Sequence, residues 1–233
     1  MDARLVTFGH GTAPRERIAE LLRGADVRAL VDVRTAPGSR RDPEVARGRL
    51  SEWLPESGVA YRWEPDLGGF RKPPADSPDV VWRNTSFRGY AAHTRTPAFV
   101  AAMDRLLGEV EAGSGDRSGH GHAGGAGSGG GRTAVMCGET VWWRCHRRLI
   151  ADFAVLARGV PTAHLMHDGR LTPHTPTPGV RLRDDGLLVY DDTAVADRKA
   201  ATRTAPTRTA PTRTAPRRTA STRTAPTRRE PTR

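Results

Sequence analysis

Residues 5–33 read LVTFGHGTAPRERIAELLRGADVRALVDV, and this stretch decides the fold class. Leu5-Val6-Thr7-Phe8 is a short apolar run that stops at Gly9-His10-Gly11, as a buried strand does. Pro14 stands where a first helical residue tolerates its missing N–H, and Ile18, Leu21 and Leu22 follow as an apolar stripe. Ala29-Leu30-Val31-Asp32-Val33 is a second apolar run, closed by Pro37-Gly38. A strand, a helix and a strand in this order predict a crossover connection and parallel strands.

The same alternation continues outward. Asp42-Pro43 is a cap followed by proline, and Ala46, Leu50, Trp53 and Leu54 keep helical spacing. Val59-Ala60-Tyr61-Arg62-Trp63 reads as a third strand ending at Leu67-Gly68-Gly69. Residues 70–95 show no period and are expected to form a long structured loop. Thr96-Pro97 opens a helix with Phe99, Val100, Met103, Leu106, Leu107 and Val110 on one side. Thr133-Ala134-Val135-Met136 is a strand, a helix starts near His146, and Thr162-Ala163-His164-Leu165-Met166 is a fifth strand. The expected architecture is an α/β single domain: a mostly parallel five-stranded sheet, helices on both faces, and a small edge β element near 180–192.

Composition sets the boundaries. The chain has 233 residues, 36% hydrophobic and 27% charged, with a formal charge of +11. That charge is concentrated: residues 198–233 hold 11 basic residues and one acid, leaving 26 basic and 25 acidic residues in 1–197. The basic end repeats Thr-Arg-Thr-Ala-Pro at 202–206, 207–211, 212–216 and 222–226. With no aromatic and almost nothing aliphatic beyond alanine, it predicts a disordered tail. Gly113 to Gly131 holds 10 glycines in 19 residues and predicts a flexible insertion in a body spanning 1–197. His120 and His122, inside it, are expected to be solvated rather than ligating. About 178 residues of body remain, enough for one sizeable core. No run approaches the ~20 apolar residues that span a bilayer, and no secretory signal pattern opens the sequence. Two cysteines do not make a disulfide framework, so a cytoplasmic location is expected.

Polar residues recur at the carboxyl ends of the predicted strands: His10 after the first, Asp32, Arg34, Ser39 and Arg40 after the second, Glu64 after the third, Cys137 and Glu139 after the fourth. In open parallel sheets that edge is where ligands bind. The densest chemistry lies at Cys137-Gly138-Glu139 and Arg144-Cys145-His146-Arg147. A thiol beside a helix N-terminus and two arginines should ionise readily, and the same N–H groups and guanidiniums would hold an anion. Two other readings stay open: buried structural cysteines paired with capping arginines, or a metal site using both cysteines and a histidine. Cys137 and Cys145 are eight apart with His146 adjoining, which is not a common zinc spacing, so no metal and no cofactor is expected. The glycines form neither a Walker loop nor a dinucleotide fingerprint.

Thr7-Phe8-Gly9-His10, Asp32-Val33-Arg34-x-x-Pro37-x-Ser39-Arg40, Leu67-Gly68-Gly69, Phe87-Arg88-Gly89-Tyr90-Ala91, Cys137-x-Glu139 and Cys145-His146-Arg147 follow one another in order. This series, over about residues 5–167, resembles the domain-of-unknown-function 488 family of bacterial and archaeal proteins. The resemblance implies an α/β domain and carries no activity with it. It singles out His10, Asp32, Arg34, Ser39, Arg40, Cys137, Glu139, Cys145, His146 and Arg147, and Gly11 stands where such sequences commonly have serine. The expected roles are catalytic for Cys137, Cys145, Glu139, His10 and His146, anion-binding for Arg34, Ser39, Arg40 and Arg147, and supporting for Asp32. The expected partner is an anionic small molecule or nucleotide, with thiol-dependent catalysis or ligand sensing at the pocket. Non-specific nucleic-acid contact through the tail is the competing reading. No membrane partner is expected.

Overall fold

The computed structural model describes residues 3–38, 42–113 and 131–192. Ser39, Arg40, the core of the glycine insertion and the basic tail lie outside the described residues. The first strand, β1 (Leu5–Gly9), is buried along its whole length. It is followed by α1 (Arg15–Gly24), with Pro14 at its N-cap and Ile18, Leu21 and Leu22 buried. Next come β2 (Val27–Asp32), α2 (Arg47–Glu56), β3 (Ala60–Trp63), α3 (Thr85–His93) and α4 (Pro97–Ala112). The remainder is β4 (Arg132–Cys137), α5 (Arg147–Arg158), β5 (Thr162–Leu165), β6 (Leu171–Pro173), β7 (Arg181–Leu182) and β8 (Leu188–Val189).

Six strands make one sheet in the order β3-β2-β4-β1-β5-β6, and β7 and β8 form a separate antiparallel pair. The first five are mutually parallel and β6 is antiparallel to β5. Parallel strands need both faces covered. One face packs on α1 and α2 through Val6, Phe8, Leu30 and Met136. The other packs on α3, α4 and α5 through Leu5, Val31 and Val135. The small pair β7–β8 lies on this second layer, with Leu188 and Tyr190 in its core.

The order of strands positions the site. β1 and β4 are neighbours, yet β1 feeds α1 on one face while β4 feeds α5 on the other. The loops leaving the two carboxyl ends therefore part, and a crevice opens between them.

Two elements correct the expectation. Residues 85–93, inside the stretch expected to be a loop, form α3. Its Asn84 side chain accepts from Ser86 and Phe87 N–H, and its buried face is Gly89, Tyr90, Ala91 and His93 rather than an aliphatic stripe. Strand β6 arises because Asp168-Gly169 turns the chain back on β5, with Gly169 at φ +87°.

Candidate functional site

Two carboxyl ends and one helix start meet in the crevice. β2 delivers Asp32 and Arg34, β4 delivers Cys137 and Glu139, and α5 begins at Arg147 directly after Cys145 and His146. The segment between β4 and α5 returns through a 3-10 turn, Trp142–Arg144. The Trp142 indole stacks on the His164 ring of β5 at 3.8 Å and 5°. That stack pins the turn to the sheet, so Cys145 is brought back beside Cys137.

The two sulfurs and one imidazole form the centre of the site. His146 Nε2–H donates to the Val33 carbonyl at 3.0 Å. A carbonyl only accepts, so Nε2 carries a proton, and in the neutral ring Nδ1 presents a lone pair. That Nδ1 lies 3.6 Å from Cys145 Sγ and 3.9 Å from Cys137 Sγ. The Tyr90 ring lies 4.9 Å from the imidazole, and Gly69 packs so closely that a Cβ would come 3.1 Å from Nδ1. The ring is held from several directions.

Arg147 stands behind this centre. It is 1% exposed, donates from Nε to Cys145 Sγ at 3.3 Å, and donates from Nη2 to the Glu139 carbonyl. None of the ion pairs among the described residues joins it to a carboxylate. A buried guanidinium needs a compensating negative charge, and the Cys145 sulfur is the group placed to supply it. Burial alone would push that thiol up, but hydrogen bonding from Cys137, with the Arg147 charge beside it, holds it well below the usual thiol range. Cys137 is pushed the other way, by its bond to Cys145 and then by burial. Gly9 makes room for this arrangement, because a Cβ there would collide with Arg147 Nη2 and the Glu139 carbonyl.

A second polar group borders the first. Asp32 is fully buried and takes Arg34 Nε at 2.9 Å, Arg34 Nη2 at 2.6 Å and the Tyr61 hydroxyl at 2.9 Å. Arg34 also donates to the Val45 carbonyl at 2.8 Å. Its Nη1 reaches His10 Nε2 at 3.4 Å, and His10 Nδ1 bonds the Gly11 carbonyl. Burial, then the Arg34 charge, lowers His10 to about 4, so at neutral pH its ring is uncharged.

The crevice above the sulfurs is a cavity of about 430 Å³ lined by Arg34, Gly69, Phe70, Phe87, Tyr90, Cys137, Glu139, Arg144, Cys145 and His146. Phe70 and Phe87 make an aromatic rim. Phe70 is 89% exposed and sits at φ +58°, a conformation that disfavours a bulky side chain. Glu139 and Arg144 are exposed, so a carboxylate and an unburied guanidinium both reach the opening. The donor atoms of Cys137, Cys145 and His146 lie within 4.8 Å of one another and are the residues here able to hold a metal ion.

The structure thus gathers Cys137, Cys145, His146, Glu139 and Arg34 around one cavity. Asp32 and Arg147 sit behind its wall, each tied to a lining residue. His10 lines an adjoining hollow with Thr12, Arg15 and Arg49 rather than the cavity itself. The aromatic rim has a sequence signal: Phe70 follows Gly68-Gly69, and Phe87 and Tyr90 belong to the motif Phe87-Arg88-Gly89-Tyr90-Ala91. Only the fold shows that these side chains face the sulfurs.

Residues 14–115 match the family model described as Domain of unknown function DUF488, so this part of the chain is similar to that family. The match takes in β2, the Gly68-Gly69 turn and α3, while the sulfur–imidazole centre lies beyond it. No curated protein and no solved structure matches the chain.

Proposed function

We propose that this protein binds an anionic small molecule, such as a nucleotide, in the crevice and acts on it at the sulfur–imidazole centre. The observation that carries the reading is the convergence of Cys137, Cys145, His146, Glu139, Arg144 and Arg34 on one cavity of about 430 Å³. That volume suits a compact organic ligand, and ligand sites combine apolar walls with a few placed polar groups. Phe70 and Phe87 offer flat faces for a ring, and Arg144 offers a charge for an anionic group. Arg34 is engaged by Asp32, so Arg144 is the guanidinium assigned to the ligand. The sulfur–imidazole centre is where the ligand is acted on, with Glu139 placed at the opening to give or take a proton. Free thiols suit a reducing compartment, which is the cytoplasmic part of the reading.

Calorimetric titration of the full chain with a panel of nucleotides, organic phosphates and small carboxylates tests this. At least one should saturate, and Arg144→Ala and Phe87→Ala should each weaken it by about tenfold, ~1.4 kcal/mol. If no member saturates, or binding ignores both substitutions, the reading fails.

A further inference from the structure

The sulfur–imidazole centre has the spacing of a coordination site. Around a tetrahedral Zn2+, with Zn–S near 2.3 Å and Zn–N near 2.0–2.1 Å, sulfur and nitrogen stand about 3.6 Å apart and two sulfurs about 3.8 Å. Here Nδ1 is 3.6 and 3.9 Å from the two sulfurs. All three donor atoms lie within 4.8 Å, so the sulfurs need close by about 1 Å at most.

Three further features belong to a metal site and not to a chance cluster. With its Nε2–H taken by Val33, the neutral His146 ring points the Nδ1 lone pair at both sulfurs. Such a bond to a backbone carbonyl is the usual way a metal-binding imidazole is oriented. Buried Arg147 donates from Nε to Cys145 Sγ at 3.3 Å, so this sulfur is held in place by a bond that it accepts. All three donors line the cavity, so a coordination position faces open space. Among the described residues no fourth His, Cys, Asp or Glu donor joins the group.

We infer that Cys137, Cys145 and His146 form a three-ligand site for a thiophilic divalent metal ion such as Zn2+, with its fourth position open to the crevice. Closed structural sites use four protein ligands, whereas three ligands and an open position mark sites that bind or activate something. Two thiolates balance a dication, and Arg147 adds one positive charge beside it. The fourth ligand is therefore an anion: hydroxide, or the anionic group of the small molecule. Only this last step rests on the proposed function; the site itself stands on the donor geometry. The spacing along the chain does not reveal it, because residues eight apart are joined by a 3-10 turn and not by a finger loop.

The test uses the full, untagged chain purified without chelator. Elemental analysis should find about one Zn2+ per chain, and Co2+ in its place should give visible d–d bands with thiolate-to-metal charge transfer. Cys137→Ser, Cys145→Ser and His146→Ala should each weaken the metal more than about 100-fold, beyond what outer-shell changes do. Far-ultraviolet circular dichroism reports whether each variant is folded, and the Co2+ spectrum of the unaltered chain depends on no variant. A folded chain that takes up neither metal overturns the inference, as does Zn2+ held equally by all three variants. The anion panel, run with and without metal, separates the two proposals. Anion binding by a chain that rejects metal overturns the site and leaves the crevice reading intact. Metal at these ligands with no anion bound supports the site and ends that reading.

Discussion

Arg34 and Arg147 show how a buried charge fixes its neighbours. From sequence, both were candidates for binding an external anion. The fold instead sets Arg34 against Asp32 with two parallel bonds and sets Arg147 against the Cys145 sulfur. Removing one member of a buried pair leaves the other uncompensated. Arg34→Met should therefore destabilise the protein by about 3–5 kcal/mol, and adding Asp32→Asn should restore much of it. Urea unfolding of the single and double variants measures both; equal stabilities would show that the pair carries no coupling. Gly9→Ala is small in chemistry and large in consequence, since its methyl occupies the space of Arg147 Nη2. It should disturb the centre in a way that Gly24→Ala, which meets nothing within 4 Å, does not.

At the scale of elements, α3 and the β5 surroundings deserve separate tests. α3 has nine residues and starts on an Asn84 cap, so Asn84→Ala should cost about 1 kcal/mol and loosen the Phe87 wall. Its absence from the sequence reading has a physical cause. The buried face is glycine, tyrosine, alanine and histidine, and close backbone approach does the packing: a Cβ on Gly89 would collide with the Arg71 carbonyl. Such a helix has no aliphatic period to detect. β1, α1, β2 and α4 were readable because bulky apolar side chains at strand or helix spacing do their packing.

His164 carries a pH dependence at the same scale. It is 1% exposed, bonds Thr7 Oγ1 at 2.7 Å and His174 at 3.0 Å, and stacks on Trp142. Burial first, then the charges of His174 and Arg147, lowers it to about 3. Below its ordinary value near 6.5 the unfolded chain binds this proton and the folded chain does not. The stabilisation from His164 is therefore complete above pH 6.5 and falls as pH drops toward 3. The slope contributed is about 1.4 kcal/mol per pH unit, so His164→Gln should flatten stability against pH between 6 and 4 by that amount. An unchanged slope would mean that the buried imidazole is already protonated in the folded state.

For the whole molecule, the body and the basic repeat separate cleanly in charge. A tail with 11 basic residues and one acid predicts salt-sensitive, sequence-independent attraction to nucleic-acid phosphates. Comparing DNA affinity of the full chain with a chain ending at Ala196 measures it, and equal affinities at low salt would remove the tail from any binding role. The site was readable only in outline. Polar residues after successive strands pointed to the carboxyl edge, because parallel sheets put their loops there. What linear spacing withheld was the partnering: which arginine is satisfied internally, which imidazole nitrogen faces the sulfurs, and which aromatics wall the opening.

On the proposed function, one crevice gathers these groups to hold a small anion. Two-dimensional NMR titration of the full chain with the tightest anion from the panel reads it most directly. Saturable shifts should centre on Gly69, Phe87, Gly138, Arg144 and His146, which belong to different elements. Shifts confined to the arginines of the tail, or scattered over the helical faces remote from the sheet's carboxyl edge, would contradict it.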